Sequence, residues 1–524
     1  MILINNVNLS LDTDFDELIS PVAKELKISP DNIISCKLYR KSVDARKRTN
    51  VHFCCSVLVE AKCEEFILKK CKNASKYTPK TYEWQKCKTT PINRPMVVGF
   101  GPAGMFCALT LARAGLKPIV LERGSSVEKR TEKIEQYFNG GKLDTECNVL
   151  FGEGGAGTFS DGKLTTGIKN PRCRVVIEEL HKMGAQEKIL TDAKPHIGTD
   201  VLVNVVRNIR NEIISLGGEI LFDTKLEDLI IENGVLKNVI ANGKEFKCDK
   251  LVVATGHSAR DTYKMLLENG TEMEQKPFAV GVRIEHLQSD INKSLYGEFY
   301  NHPNLMPADY KLACHLENGR GVYTFCMCPG GEVINSSSEN DGLAVNGMSK
   351  SRRDGINANS AVLVGVDTSD FGSDDVLAGC KFQEKIEKSA FDCNKGKVPI
   401  NTVGSFVYGK EFKITKVKPT VKPDYNYCDF DDIFPRFVTE SLKMGIKEFG
   451  RKIKGFDDES AILTAPETRS SAPVRIIRNA DFESNLIGVF PCGEGAGYAG
   501  GIVSAAVDGM TVAEEIISRL NRDL

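Results

Sequence analysis

The sequence lacks an excess of charge of either sign, and it lacks a long apolar run. Over 524 residues it carries 69 Lys and Arg against 70 Asp and Glu, which gives no reason to expect a nucleic acid or a membrane surface as its main partner. The most apolar late stretch, residues 502–517, is interrupted by Asp508, Glu514 and Glu515, so no membrane span is expected. The N-terminal stretch turns acidic without a positive leader region, and we therefore expect a soluble, cytoplasmic protein.

Metal-binding and disulfide patterns are also missing. No pair of cysteines shows C-x-x-C spacing, and the total of 17 cysteines is odd, which favours reduced thiols over a disulfide framework. The seven histidines do not cluster with cysteines at ligand spacing. We therefore expect neither a structural zinc nor an iron–sulfur site, and we predict no metal ligand.

The chain is long enough for two or three domains, and its composition changes at Pro95. A small basic α+β domain is predicted over residues 1–92, since residues 1–94 hold 17 Lys and Arg against 11 Asp and Glu. Its basic connection, residues 40–50, is better explained as a solvated hairpin tip than as a binding site for an acidic partner. Residue spacing in this domain predicts strands over 2–9, 33–39 and 51–60, and helices over 16–26 and 64–72.

The remaining chain predicts an interrupted α/β domain. Residues 95–260 alternate between apolar strands, glycine turns and helices, and residues 461–524 return to the same style. Such alternation predicts a doubly wound, Rossmann-like domain. Residues 261–460 have strand-like pieces and Gly/Pro loops but few long helical patterns, which predicts an inserted mixed α+β domain.

A glycine-rich turn opens the α/β domain. Residues 96–122 read MVVGFGPAGMFCALTLARAGLKPIVLE, with Gly99, Gly101 and Gly104 between a strand and a helix. The first glycine permits the tight turn, the second lets the main chain approach a pyrophosphate, and the third allows the helix to pack closely on the strand. Glu122 ends the next strand, where a carboxylate can accept hydrogen bonds from an adenosine ribose. The spacing predicts a dinucleotide-binding domain.

Later segments distinguish FAD from NAD. Near the C-terminus, Gly493 and Glu494 precede a helix that opens at Gly500 and Gly501. This arrangement resembles the second flavin-binding motif of the glutathione-reductase-like superfamily, in which Asp is usual at the position of Glu494. The segment LVVATGH, residues 251–257, resembles the superfamily's Ala-Thr-Gly return to the cofactor, and residues 219–226 resemble the strand that contacts adenine.

The segment VLFGEGGAGTFSDGKL, residues 149–164, combines glycines with polar side chains. Its free N–H groups predict an anion-binding nest beside the isoalloxazine edge. Together with CMCPGG at 326–331 and TAPETRSSAPVRI at 464–476, it makes residues 95–524 resemble a family of bacterial FAD-dependent dehydrogenases. The resemblance implies an FAD-binding domain interrupted by a substrate-side domain, and it implies no particular substrate.

The predicted cofactor-binding residues follow from these motifs. They are Gly99, Gly101, Pro102, Ala103, Gly104, Glu122, Arg123, Arg130, Gly155, Ala156, Gly157, Thr158, Ser160, Asp161, Lys225, Leu226, Thr255, Gly256, Gly493, Glu494, Gly500, Gly501 and Ile502. No second complete G-x-G-x-x-G with an acidic strand end follows residue 122. NADH or NADPH would therefore bind transiently at the flavin face, or electrons would come from another protein.

Several side chains are candidates for substrate chemistry. His257 is interpreted as a structural histidine in preference to a proton donor. Arg469 and Arg475 fit an anion clamp, a pyrophosphate contact or ion pairs equally well. Cys326 and Cys328 form a C-x-C pair, but side chains two apart on a strand lie about 7 Å from each other, so a disulfide needs a sharp turn. We favour a buried structural pair or a loop beside the flavin, and we name no catalytic acid or base.

The sequence as a whole predicts an FAD-dependent oxidoreductase that acts on a small molecule by hydride or electron transfer at flavin N5. Two alternatives remain open at this stage. One is a flavin-dependent protein that modifies tRNA, because the N-terminal domain is basic, although a nucleic-acid partner is not favoured by the total charge. The other is an electron-transfer flavoprotein that docks an acidic redox protein on residues 1–92.

Overall fold

The computed structural model describes residues 1–79 and 81–522. Its N-terminal part is a four-stranded antiparallel sheet in the order β2-β3-β1-β4, covered by two helices. The elements are β1 (Ile2–Leu9), α1 (Ile19–Leu26), β2 (Ile33–Asp44), β3 (His52–Ala61), α2 (Glu64–Lys70) and β4 (Ala74–Lys76). Alternate β3 residues, from Phe53 to Val59, are buried, which is the period-2 pattern that the sequence predicted. β2 runs further than predicted because its pairing with β3 continues to Asp44 opposite His52.

A second group of elements follows Pro95. It comprises β5 (Met96–Val98), α3 (Pro102–Arg113), β6 (Ile119–Leu121), α4 (Val127–Phe138), α5 (Gly155–Thr158), α6 (Arg172–Lys182), α7 (Thr199–Ser215), β7 (Glu219–Leu221), β8 (Leu226–Glu232), β9 (Val235–Ala241), β10 (Lys244–Lys247), β11 (Leu251–Val253) and α8 (Arg260–Glu268). β8, β9 and β10 form a separate antiparallel sheet. The other strands are short, and the central ones, β5 and β11, are fully buried, as is usual where helices cover both faces of a parallel sheet.

The inserted part is built around a seven-stranded sheet. Its elements are β12 (Met273–Gln275), β13 (Phe278–Leu287), α9 (Gln288–Tyr296), β14 (Ala313–His315), β15 (Gly321–Cys328), β16 (Glu332–Asn335), β17 (Val345–Met348), β18 (Asn357–Val366), α10 (Ala378–Asn394), β19 (Val398–Thr402), α11 (Val403–Tyr408), β20 (Tyr425–Tyr427), α12 (Arg436–Lys452) and β21 (Ile462–Glu467). The strand order is β14-β15-β18-β13-β21-β19-β20.

One strand departs from the predicted domain limits. The sequence pattern predicts that residues from 461 onwards belong to the dinucleotide-binding domain, but β21 pairs with β13 and β19 inside the seven-stranded sheet. Its register brings Leu463 opposite Ile284, and both side chains are fully buried. Residues 462–467 therefore lie with the insert because their apolar side chains complete its core.

The chain then returns to the first parallel sheet. It forms β22 (Val474–Ile476), β23 (Val489–Pro491) and α13 (Ile502–Arg522). The parallel sheet has the order β23-β11-β5-β6-β7. From β5 the chain adds β6 and β7 on one side, and it later returns to add β11 and β23 on the other side, so the strand order reverses at β5. In such sheets ligands bind outside the carboxyl ends of the strands at this reversal. Among the residues described, no helix has the length and apolar character needed to cross a membrane.

One disulfide corrects the prediction of reduced thiols. Cys393, near the end of α10, is bonded to Cys428, just after β20. The two segments are held side by side because Asn394 Nδ2 donates a hydrogen bond to Asn426 O at 3.1 Å. The other cysteines are free thiols.

Candidate functional site

A cleft of about 710 Å³ lies between the carboxyl edge of the parallel sheet and the inserted sheet. Three turns that follow parallel strands reach it, after β5, after β11 and after β23. The predicted residues that line it are Gly99, Gly101, Pro102, Ala103, Glu122, Arg123, Gly155, Ala156, Gly157, Ser160, Leu226, Thr255, Gly256, Glu494, Gly500, Gly501 and Ile502. The motifs that are far apart in the sequence therefore meet in one cleft.

The first glycine turn is held by its own close packing. Gly99 has φ +92°, and a Cβ there would lie 2.4 Å from Ala254 O. A Cβ on Gly104 would lie 1.9 Å from Gly99 O, so this glycine sits beneath the turn and does not line the cleft. Gly101 precedes the first residue of α3, so the free N–H groups of this helix point at the cleft.

Glu122 is fixed at the end of β6 by three main-chain donors. Its Oε2 accepts a hydrogen bond from Phe100 N at 2.7 Å, and its Oε1 accepts from Gly124 N at 2.9 Å and Gly152 N at 3.0 Å. The residue is 4% exposed and lines the cleft. The carboxylate thus ties the first glycine turn to the later glycine-rich segment at one end of the cleft.

At the other end, glycines leave the cleft wall open. A Cβ on Gly256, Gly500 or Gly501 would meet no protein atom within 4 Å, although all three residues line the cleft. The missing side chains therefore create space on the cleft side. Gly500 and Gly501 directly precede α13, whose N-terminus carries a positive partial charge.

Two titratable groups lie at this open end. His257 Nε2 is 4.0 Å from Glu494 Oε1. Burial raises the pKa of Glu494 to about 7. Burial, with the nearby guanidinium groups of Arg469 and Arg260, lowers the pKa of His257 to about 4. Near neutral pH the imidazole is therefore neutral and the carboxyl is partly protonated, so the pair can hold a proton at Glu494 without forming a strong ion pair.

The glycine-rich segment after β6 is divided between surface and core. Its Gly155, Ala156, Gly157 and Ser160 positions line the cleft, whereas Thr158 and Asp161 are buried. Asp161 is fully buried because it pairs with Arg353 of the insert through Nε at 3.1 Å and through Nη2. Thr158 and Asp161 were predicted to bind the cofactor, but the structure buries both side chains behind the cleft wall, and Asp161 joins the two parts of the molecule.

Arg130 corrects another prediction. Its guanidinium is fully buried and donates hydrogen bonds to the main-chain carbonyls of five residues. These carbonyls belong to Asn148, Val149, Gly152, Glu153 and Gly155, at 2.7–3.2 Å. These bonds hold the guanidinium inside this loop and away from the cleft, so Arg130 shapes the glycine-rich segment and does not face a pyrophosphate.

Lys225 and Gly493 also lie off the cleft surface. Lys225 Nζ pairs with Asp261 at 2.6 Å and with Glu146 at 3.2 Å. Gly493 N donates to Asp508 Oδ2 at 2.7 Å, which anchors the turn that leads to Glu494. Both residues support neighbours that line the cleft.

The two arginines considered for an anion clamp have different surroundings. Arg469 lines the cleft, but its Nε and Nη2 atoms bond the buried Glu387 carboxylate at 3.0 and 2.9 Å. Arg475 does not line it, and its Nη1 pairs with Glu274 at 3.1 Å on the surface. The structure does not bring them together as a clamp.

The insert contributes cleft residues that the predicted site did not include. Among them are Tyr310, Phe325, Cys326, Asn346 and Arg353. Lys163, at the end of the glycine-rich segment, also lines the cleft. Arg353 was not distinguishable from other basic residues because its neighbours come from distant segments. Behind them, the fully buried Arg283 pairs with Glu467 at 2.6 and 2.8 Å, across β13 and β21.

A parallel sheet whose glycine turns and helix N-termini share one deep cleft defines the class of dinucleotide-binding oxidoreductases. Residues 93–276 match the pyridine nucleotide-disulphide oxidoreductase family, and residues 277–470 match the C-terminal domain-like region of FAD-dependent proteins. Residues 1–60 match a domain of unknown function.

An uncharacterized protein of Clostridium beijerinckii is 49% identical over 528 residues, which cover 99% of each chain. The chain belongs to the family of this clostridial protein, within the FAD-dependent oxidoreductases of the glutathione-reductase-like superfamily. This assignment agrees with the resemblance of the sequence motifs to FAD-dependent dehydrogenases.

Solved structures match the chain only at low identity and low TM-score. A quinol fumarate reductase of E. coli is 11% identical, with 83% of this chain and 72% of that chain covered and a TM-score of 0.36. A glycerol-3-phosphate dehydrogenase of Bacillus halodurans, solved in complex with FAD, is also 11% identical, with 83% and 65% covered and a TM-score of 0.35. Neither likeness bears on what the present chain acts on.

Proposed function

We propose that the chain binds one FAD along the cleft and uses it to oxidise or reduce a small molecule. The observation that carries this proposal is the single cleft lined by both glycine-opened helix ends, α3 at one end and α13 at the other. When bound, FAD supplies hydride or electron transfer at N5. The protein supplies position, charge and protons.

The residues fit an extended dinucleotide. Glu122 and Leu226 would hold the adenosine end, and the turn at Gly101–Ala103 would hold the pyrophosphate with N–H groups of α3. The open space beside Gly256, Gly500 and Gly501 would take the isoalloxazine, which a side chain at any of these positions would obstruct. The positive end of α13 favours negative charge on the ring edge beside it.

The substrate would enter against the inserted sheet. Tyr310 and Asn346 place donor groups on that wall, and Lys163 of the glycine-rich segment lies against it through its bond to Met327 O, while Glu494 and His257 lie where the two walls meet. Glu494 can give or take a proton near neutral pH because burial raises its pKa to about 7. Electrons would come from NADH or NADPH at the same face or from an acidic redox protein.

A pair of glycine substitutions tests the cofactor site. Gly500→Val places a side chain in the cleft without a clash with protein atoms, because a Cβ there meets nothing within 4 Å. Gly321→Val is the matched control, since a Cβ on Gly321 also meets nothing within 4 Å, but Gly321 starts β15 outside the cleft. We expect the Kd for FAD to rise at least about tenfold, or about 1.4 kcal/mol, in the first variant only.

The measurement is a titration of the FAD-depleted protein with FAD, followed by flavin fluorescence. The purified wild-type protein should show a flavin absorption spectrum and release FAD on denaturation. A wild-type protein that is colourless and takes up no added FAD would contradict the proposal, as would equal FAD affinity in the two variants. Anaerobic mixing with NADH and NADPH then identifies a nicotinamide donor by bleaching of the flavin band.

A further inference from the structure

The C-x-C pair lies at a break in its strand. β15 pairs with β18 in regular register up to Phe325, after which the register shifts before Cys328. Cys326 has φ +43°, in the left-handed region that residues with a Cβ seldom adopt. The two cysteines are therefore not successive members of one strand face, and the sharp turn that the sequence analysis required is present.

The turn gives the two thiols different surroundings. Cys326 is half-buried and lines the cleft, whereas Cys328 is fully buried beneath it. Cys328 Sγ donates a hydrogen bond to Cys326 O at 3.3 Å. One thiol is thus accessible from the cleft, and the other supports it from inside.

Charged groups from three other segments surround the accessible thiol. Arg283 of β13 donates from Nη1 to Cys326 O at 3.1 Å and lies 3.8 Å from Cys328 Sγ. Lys163 donates to the Met327 carbonyl, next to Cys326 in the chain. The facing carboxylates are Asp161, which is paired with Arg353, and Glu494 at the end of the cleft. Hydrogen bonding from Cys328, with the charges of Lys163 and Arg283, lowers the pKa of Cys326 to about 6, and the same pairing raises the pKa of Cys328.

Tyr310 is a second, independent polar group on the same wall. It lines the cleft and is 8% exposed, and its hydroxyl has no hydrogen-bond partner among the described residues. A buried hydroxyl without a partner costs about 1–3 kcal/mol, so this hydroxyl is available to a water or to a polar atom of a ligand in the cleft.

We propose that Cys326 is the reactive thiolate of the cleft and that, with Cys328, it exchanges with a disulfide ligand. The Cys326 thiolate attacks one sulfur of the ligand, a mixed disulfide forms, and the other half of the ligand leaves as a thiolate. Cys328 then gives its proton to the departing thiolate and displaces the second half from Cys326, so that one ligand thiol and one ligand thiolate are released and the pair becomes a disulfide. Two electrons pass from the thiol pair to the ligand, and the step needs no flavin.

Oxidised glutathione is the probe, and peptide mass mapping is the measurement. After reaction with the whole protein, the wild-type peptide that holds residues 326 and 328 should lose two hydrogens, while Cys328→Ala should trap a glutathione adduct on Cys326. Cys314 is the internal control because it is also half-buried, lies in the same sheet, and has its pKa raised by burial. Reaction of Cys314 at the same rate as Cys326, or no reaction at Cys326, would overturn the proposal.

Iodoacetamide gives a second readout on unmutated protein. The rate at which iodoacetamide alkylates Cys326 should rise with pH and then level off, with the midpoint of the rise near pH 6, because only the thiolate displaces iodide. In Cys328→Ala the midpoint should move up by at least about one pH unit, towards that of an ordinary thiol. A Cys326 midpoint near 8.5 in the wild-type protein would refute the thiolate. Tyr310→Phe should slow the reaction of Cys326 with oxidised glutathione but not its reaction with iodoacetamide. An equal effect on both reactions would show that Tyr310 does not bind the disulfide ligand.

Discussion

The parallel-sheet wall of the cleft presents mostly main chain, whereas the wall from the inserted sheet presents charged, phenolic and thiol side chains. Gly99, Gly101, Gly500 and Gly501 make up much of the first wall. Tyr310, Arg353 and Cys326 belong to the second. Main-chain N–H groups and helix ends can hold any phosphate or flavin edge, but they discriminate poorly between small molecules. We therefore expect the choice of substrate to depend mainly on the side chains of the insert.

The two walls also depend on different interactions for their shape. The shape of the glycine wall depends on main-chain contacts that are too close to admit a Cβ atom. The approach of Gly104 to Gly99 O is one such contact. The side-chain wall is set by buried ion pairs, Arg283 with Glu467 and Asp161 with Arg353. Substitutions in the side-chain wall should therefore destabilise the protein by leaving a buried charge without its partner, whereas substitutions in the glycine wall should do so by overpacking.

The largest effect is expected for Arg283→Met. The substitution leaves the Glu467 carboxylate, which is 3% exposed, without its partner. Loss of one partner of a buried ion pair costs about 3–5 kcal/mol of the free energy of unfolding. Thermal and denaturant unfolding measure this loss. Arg320→Met is the control, because Arg320 pairs with Asp370 at a quarter-exposed site and should cost less than about 1 kcal/mol. Equal losses in the two variants would contradict the role given to burial.

A smaller loss is expected for Gly104→Ala on the other wall. Its Cβ would lie 1.9 Å from Gly99 O, so α3 must move away from the turn. Overpacking of this kind costs about 1–3 kcal/mol. We also expect reduced FAD content after purification, because the turn that faces the pyrophosphate shifts. Gly500→Ala is the control for stability, since no atom lies within 4 Å of its Cβ. A Gly104→Ala protein as stable as Gly500→Ala would show that the turn does not depend on this contact.

The difference between the walls also explains how much could be predicted from the sequence. The first wall was predicted from local patterns, because Gly99, Glu122 and Gly500 are recognised by their immediate neighbours in the chain. The second wall was not, because Arg283 and Glu467 are 184 positions apart and become partners only when β13 pairs with β21. Asp161 was predicted to bind the cofactor for the same reason, because no residue near it in the sequence indicates that its partner is Arg353.

Arg130 and Cys326 show a further limit of sequence patterns. The position of Arg130 after Glu122 suggested a phosphate contact, but residues 148–155 fold back over it and accept hydrogen bonds from all three of its guanidinium nitrogens. Cys326 was judged on strand geometry, and the strand is broken at that residue. In both cases the residue type was noticed and its role was decided by a main-chain conformation that residue spacing does not encode.

A pH-dependent effect, absent near pH 4, is expected at Glu494, where the two walls meet. Its pKa is raised by burial from the ordinary 4.5 to about 7 in the folded protein, so the folded state holds this proton more tightly than the unfolded state. The stability that this proton contributes is complete below pH 4.5 and is lost as the pH rises through 7. Glu494→Gln carries no charge at any pH. The variant should therefore become more stable relative to the wild type as the pH rises from about 5 to 8.

Unfolding midpoints of the two FAD-depleted proteins across this pH range give the comparison. Other titrating groups are common to both proteins and cancel in the difference. Glu65→Gln, on an exposed position of α2, provides the reference for a glutamate far from the cleft. A difference between Glu494→Gln and wild type that does not change with pH would mean that Glu494 ionises as freely as a surface carboxyl. In that case a proton at the junction of the two walls would have to be held by a group other than Glu494.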